Sequence, residues 1–269
     1  SASQMWHDML KFKYDTSSMD ITILFGDNKW NHCHEYWGKI PAMMMTPTVE
    51  HALLNMCQAR VYDQIPLIFG PFGCGKTELI RTFAYYLGNF VFSAASFPSF
   101  SYYYYSCVLK GAALSGSWIL FSEIEQLSSQ SLTFLFDLVR VMNDSLVTNM
   151  PINNVYLKFS QLKSSTRIFL TSSINSFVDE KLPPQLRSYI RPISLCSPLV
   201  KRIVETKLIT HGFLSSKEIS EQLEAFVTAV IPIFNLTHSK LQYCLKIASA
   251  AQDLLRQLMH ANKVSFINY

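Results

Sequence analysis

The chain alternates short, almost wholly apolar runs with longer amphipathic stretches. Ile65 to Phe69, Phe90 to Ala94, Gly116 to Phe121, Arg167 to Thr171 and Ile193 to Leu195 form five such runs, and each reads as a strand. A near-continuous apolar run marks a strand covered on both faces, as in a parallel sheet. Between them lie helix-like stretches. Glu78 to Leu87 is one, and Ser131 to Met142 is another, with Leu132, Leu135, Phe136, Val139 and Met142 at helical spacing. Thr46-Pro47-Thr48 starts an earlier helix whose apolar side is Val49, Leu53, Leu54, Met56 and Cys57, because proline after a threonine cap is pre-set for the first helical position. Alternating strands and helices predict an α/β core with a parallel five-stranded sheet flanked by helices. From Leu199 the pattern is helical to about residue 260, broken at Gly212 and Pro232. The expected organisation is an entry segment over 1–45, an α/β core over 46–198 and a small all-α domain over 199–269.

Composition narrows the function without naming it. The 269 residues are 49% apolar and 16% charged, enough for one large domain or two small ones with a substantial core. A net charge of +4 with no dense Lys/Arg run argues against a broad nucleic-acid-binding face. No run approaches the roughly 18 consecutive apolar residues of a membrane span. Six cysteines are scattered without a Cys-x-x-Cys pair, which points to a reducing compartment. Neither end carries a targeting signature, and both are expected to be cuts through a longer polypeptide. His32-Cys33-His34 has ligand-type residues, but no second cluster would complete a metal site. Tyr102 to Tyr105 could offer a stacking platform for bases, yet no basic residue interleaves it, so packing against a neighbour is the expected role.

The chemistry concentrates in Gly70-Pro71-Phe72-Gly73-Cys74-Gly75-Lys76-Thr77, a complete G-x-x-x-x-G-K-[ST] phosphate-binding loop between a strand and a helix. Glycines let backbone N–H groups close around phosphates, Lys76 reaches the β/γ oxygens, and the Thr77 hydroxyl ligates Mg²⁺. The helix that follows aims its positive end at the same anion. Such a site also needs an acidic group at the end of a neighbouring strand. Trp118 to Phe121 is that strand, and it runs into Ser122-Glu123-Ile124-Glu125. Glu123 can orient or deprotonate water. Ser122 offers only a neutral hydroxyl where a carboxylate is expected, which weakens both metal affinity and transition-state electrostatics.

Further stretches make the chain resemble the AAA+ modules of dynein heavy chains, most closely the first module of the motor ring. His34 to Gly38 followed by Met45-Thr46-Pro47 is similar to that family's adenine-bordering entry segment, and Gly70 to Glu78 to its G-P-x-G-x-G-K-T-E loop. Lys110 to Trp118 resembles its K-G-L-A-Q-x-G-x-W stretch. Thr166 to Thr171, Leu182 to Arg187 and Arg191-Pro192 resemble its I-F-I-T-M-N…L-P-x-x-L-x…R-P region. The resemblance covers nearly the whole chain. It implies an AAA+ core and helical lid binding ATP or ADP with Mg²⁺, in a polypeptide whose neighbouring AAA+ modules are its partners. Microtubules and dynein-complex subunits are implied indirectly, and a cytoplasmic, cytoskeletal location such as a cilium or flagellum axoneme.

On that register the departures cluster at catalytic positions. Ser122 replaces the Walker B aspartate while Glu123 keeps the glutamate, and Ser173 replaces the sensor-1 asparagine that aims water. Lys246 falls near the lid's sensor-2 arginine. Arg191 matches the finger offered to a neighbouring module's nucleotide, or else is a surface arginine ending a helix. The expectation is a module that holds nucleotide but hydrolyses it weakly. The alternatives are an active ATPase module driving microtubule-based movement and an unrelated P-loop enzyme such as a small-molecule kinase, which the long helical tail disfavours.

Overall fold

The computed structural model describes residues 9–17, 19–38, 43–96, 102–148, 152–153, 158–159, 163–173, 187–197, 199–210, 212–213, 215–233 and 243–253. The chain divides into two compact units, residues 1–71 with 75–196, and residues 197–269 with 72–74.

In the first unit a five-stranded parallel sheet has the order β10-β4-β9-β6-β5. Its strands are β4 (Ile65–Phe69), β5 (Val91–Ala95), β6 (Trp118–Ser122), β9 (Ile168–Ser172) and β10 (Ile190–Ser194). The helices between them are α1 (Pro47–Val61), α2 (Lys76–Leu87), α3 (Tyr102–Ser115) and α4 (Ser129–Thr148). Period-2 alternation sends successive side chains to opposite faces. Ile65, Leu67, Ile119, Phe121, Ile168 and Leu170 join Tyr105, Leu109, Leu135, Phe136 and Val139 of α3 and α4 in one buried cluster. On the other face, Phe83 of α2 packs its ring on Trp118 and Phe169, at centroid distances of 5.5 and 6.5 Å. The apolar runs are continuous because both faces are covered. Tyr105, the last residue of the tyrosine run, is fully buried against Phe121, while Tyr103 is exposed.

The first 45 residues hold structure that alternating apolar pieces and polar turns did not announce. β1 (Lys11–Asp15), β2 (Asp20–Phe25) and β3 (Asn28–Asn31) form a separate antiparallel sheet. The chain then runs along the end of α2. Cys33 N donates to Leu87 O at 3.1 Å, Glu35 N to Gly88 O at 2.9 Å, and Trp37 Nε1 to Asn89 O at 2.7 Å. Gly88 ends α2 at φ +65°, and a Cβ there would meet the His32 ring at 2.3 Å, so two constraints demand glycine. A short antiparallel pair, β7 (Ile152–Asn153) with β8 (Lys158–Phe159), completes this unit's described strands.

The second unit is helical in its described parts: α5 (Val200–Thr210), α6 (Ser216–Ile233) and residues 243–253. Val204, Leu208, Val227, Cys244 and Ala248 form its own small core. The break at Gly212 (φ +86°) follows the end of α5, whereas Pro232 lies within the last turn of α6. The stretch from Leu182 to Leu186, part of the resemblance above, and residues 254–269 lie outside the described residues. None of the described helices is long and apolar enough to cross a membrane.

Candidate functional site

The phosphate loop leaves β4, which is central in the sheet between β10 and β9, and enters α2 directly. Gly73 and Gly75 both take positive φ, +76° and +98°, which a side chain would resist. Gly75 is the residue that caps α2, so no side chain bonds the first turn of that helix. The leading N–H groups of a helix have no intrahelical acceptor, and here they carry the positive end of the dipole unclaimed by a capping side chain. Phosphate oxygens are the acceptors such a terminus suits.

Lys76 is buried inside this loop. Its Nζ donates to Gly70 O at 2.8 Å, Pro71 O at 3.0 Å and Ser173 Oγ at 3.4 Å. The ammonium therefore already sits over the loop, held by neutral acceptors that an anion would outcompete electrostatically. Phe72 is exposed, Cys74 buried and Thr77 half-buried. Glu78 points outward and pairs with Arg81 at 3.0 Å.

Strand register brings Ser122, Glu123 and Ser173 to the same edge of the sheet. Ser122 ends β6 and Ser173 follows β9, beside the strand that feeds the loop. Glu123 leaves β6 in the left-handed region at φ +55°, a strained conformation for a non-glycine residue and one found at functional sites. Its backbone N–H donates to Thr171 Oγ1 at 3.2 Å, which pins this kink to β9. Its carboxylate accepts from Gln126 Nε2 in the 3₁₀ turn Ile124–Gln126. Glu125, in the same turn, accepts from the Ser173 N–H through Oε1 at 2.8 Å. Lys76, Ser173 and Glu125 are thus joined by successive hydrogen bonds across the end of the sheet.

Glu125, Gln126 and Thr171 are the residues that sequence reading left without a role. The one available signal was a second acidic residue two positions after Glu123. Met43 is another such residue: Thr82 Oγ1 lies 3.8 Å from its Sδ, and its methyl is 3.6 Å from where a Gly75 Cβ would sit. The segment leading to Thr46 and Pro47 consequently runs past the start of α2. Thr46 caps α1, its Oγ1 accepting from Val49 N at 3.3 Å, and Pro47 is the first residue of that helix.

Arg191 lies apart from this group. Arg191 is in strand β10, paired in register with Pro66 near the beginning of β4, so it does not end a helix. Its guanidinium donates to Asn55 Oδ1 at 3.2 Å and to Gln58 Oε1, both on α1. Lys246 is exposed on the helical residues 243–253 of the second unit. His32 and His34 bond each other, and His34 bonds Asp20 at 2.7 Å, which holds the Asp20 carboxyl below its usual range. Among the described residues no group of three or more His, Cys, Asp and Glu is arranged to hold a metal ion.

The donor set fits a nucleotide. An uncapped helix terminus, backbone turns of positive φ and a poised buried ammonium are all arranged around one loop. Thr77 and Ser122 bring neutral hydroxyls to this region, and the Glu123 carboxylate accepts from Gln126.

Comparison with known proteins agrees with nucleotide binding at this loop. The family described as the hydrolytic ATP binding site of dynein motor region matches residues 32–247. Dynein axonemal heavy chain 11 of Sus scrofa is 23% identical over 224 residues, covering 83% of this chain and 5% of its own. Cytoplasmic dynein 2 heavy chain 1 of Homo sapiens is 25% identical over 239 residues, covering 88% and 5%. Dynein heavy chain-like protein 1 of Plasmodium falciparum (isolate 3D7) is 24% identical over 225 residues, covering 82% and 4%. The chain therefore spans about 5% of the length of the curated relatives it matches.

Proposed function

The chain belongs to the family of the hydrolytic ATP binding site of the dynein motor region, and on that premise we propose that it retains nucleotide at Gly70 to Thr77 while cleaving ATP slowly. Membership makes it a dynein-type AAA+ ATP-binding module. The slow turnover is our reading, and one observation carries it: β6 ends in Ser122, and the neighbouring Glu123 carboxylate is bonded to Gln126.

Thr77 would hold Mg²⁺, which when bound would supply positive charge to offset that developing on the phosphates. The chain's own part is binding and positioning. The α2 N-terminus and the loop amides take the phosphates, and Lys76 turns from Gly70 O and Pro71 O to the terminal phosphate oxygens. Glu123 would orient a water, in competition with Gln126 for its carboxylate. Ser173 offers a hydroxyl where an amide would reach farther, and its N–H is tied to Glu125. Removing one preorganised electrostatic group costs about 10²–10³ in rate. Ser122 and Ser173 both lie at this edge, so turnover falls steeply whether or not their effects add. The retained Glu123 favours the second reading, an active ATPase module driving microtubule-based movement.

Beyond this module, the full polypeptide is read as a dynein-heavy-chain-like protein. Its neighbouring AAA+ modules are the direct partners, with microtubules and dynein-complex subunits reached through them. Arg191 would serve a neighbouring module's nucleotide only by leaving Asn55 and Gln58, and Lys246 would act from the lid. A cytoplasmic, cytoskeletal setting such as the axoneme of a cilium or flagellum fits those relatives.

The test is a single-turnover ATP hydrolysis assay with a parallel nucleotide-binding titration, on the wild type and Ser122→Asp. Tight binding with slow cleavage is expected, and the aspartate should speed cleavage by about tenfold or more, up to the 10²–10³ of one electrostatic group. Brisk wild-type cleavage overturns the slow-turnover reading, and loss of all nucleotide binding overturns both.

A further inference from the structure

At the opposite end of the sheet from the phosphate loop lies a second cationic feature that nucleotide binding does not use. Arg60, in the last turn of α1, is sandwiched between aromatic rings, its guanidinium carbon 4.9 Å from the Trp30 centroid and 5.7 Å from that of Trp118. Arg167 precedes β9 and reaches into the same corner. Pro66, Trp118 and Phe169 supply apolar walls to a cavity of about 10 Å³ that both guanidiniums line.

The hydrogen-bond inventory there does not close. Arg60 Nε and Nη1 and Arg167 Nε are buried without an acceptor. The other Arg167 nitrogens are engaged, Nη1 with Ser164 O and Thr166 O at 2.8 Å, and Nη2 with Asp63 Oδ1 at 3.5 Å. Among the described residues Asp63 is the one carboxylate against two guanidiniums, so there the corner keeps one positive charge in excess. Burial and then the neighbouring Arg167 pull Arg60 down to about 10, which still leaves it cationic at neutral pH. Buried charges are otherwise paired or hydrogen-bonded, because stranding one costs several kcal/mol.

We propose that Arg60 and Arg167 bind one small monovalent anion, of chloride's class, in this cavity. Three features select that occupant. A space near 10 Å³ takes about one water-sized species, which excludes sulfate, phosphate and nucleotide. Three buried N–H donors that no acceptor bonds, with Gln64 also on the wall, suit an anion, since a water could accept only two of them and would have to place its own hydrogens. One negative charge cancels the excess left by Asp63. The Arg167 side chain is 23% exposed, so a small ion exchanges without unfolding of the sheet.

A ligand that binds only the folded state raises its melting temperature by mass action. The intact chain should therefore melt a few degrees higher in sodium chloride than in sodium gluconate at equal ionic strength. It should also broaden the ³⁵Cl NMR line of excess chloride, and bromide should reverse the broadening. Arg60→Met should abolish the broadening and make the two melting temperatures equal, and Arg60→Lys should leave a reduced effect of both. Equal wild-type melting in the two salts with no broadening, as a water or a side chain filling the cavity would give, overturns the proposal. Broadening that survives in Arg60→Met also overturns it.

Discussion

Gln126 is the residue whose removal tests most sharply how the catalytic edge is restrained. Its Nε2 donates to Glu123 Oε2 within a 3₁₀ turn whose start is fixed by the left-handed φ of Glu123. Gln126 takes up one acceptor site of Glu123 Oε2 and fixes the carboxylate's orientation, so an attacking water approaching that oxygen competes with it. A hydrogen bond contributes about 0.5–1.5 kcal/mol net, and one to a charged group more. Gln126 is exposed, so solvent competes and the lower range applies. If that energy is spent breaking the bond on the way to the transition state, Gln126→Ala lowers the barrier by the same amount. At 1.36 kcal/mol per tenfold, single-turnover cleavage should rise by about two- to tenfold. Gln126 is not in the phosphate loop, so the dissociation constant for ATP should stay the same, which separates this effect from tighter binding. A rate that is unchanged or lower in Gln126→Ala, with intact binding, would show that the bond orients Glu123 productively and refute the reasoning.

Lys76→Met should weaken ATP binding by about 10- to 100-fold, the loss of one charged hydrogen bond of about 1.5–3 kcal/mol less the neutral bonds that Lys76 gives up; isothermal titration calorimetry reads this, and a change below about threefold would mean the ammonium stays on Gly70 O and Pro71 O. Burial pushes the Cys57 thiol from 9.0 up to about 12. Because the folded value is the higher one, its contribution to stability is intact below pH 9 and is lost as pH rises from 9 towards 12. Denaturant unfolding of the wild type should therefore weaken over that window more steeply than that of Cys57→Ala, and parallel curves would refute it. In the same protein near pH 8, the exposed Cys33, Cys107 and Cys196 should alkylate before the buried Cys57, Cys74 and Cys244.

How far the sequence revealed this molecule depends on whether a residue's role is local. Gly73, Gly75 and Lys76 were readable because a phosphate loop fixes its own geometry within eight residues. The five parallel strands were readable for a similar reason: burial on both faces writes itself as unbroken apolar runs. β1 (Lys-Phe-Lys-Tyr-Asp) carries no such run, since its middle three residues are exposed and only pairing with β2 makes it a strand. Arg191 was expected either as a finger or at the end of a helix, and its place in β10 follows from pairing with β4, 125 positions earlier at Pro66. Ser122 and Ser173 were legible as neutral residues where charged or amide groups were expected, but the bonds made around them were not. The Ser173 N–H is bound by Glu125, 48 residues away, and the Glu123 carboxylate by Gln126 through a turn that exists only because Glu123 is left-handed. On the proposed function, binding capacity is encoded in a contiguous motif, whereas hydrolytic capacity would depend on which neighbour each carboxylate bonds. Reversing Ser122 alone would restore the charge but leave Glu123 tied to Gln126, so the two substitutions together should exceed Ser122→Asp by the same two- to tenfold factor if the restraints act independently.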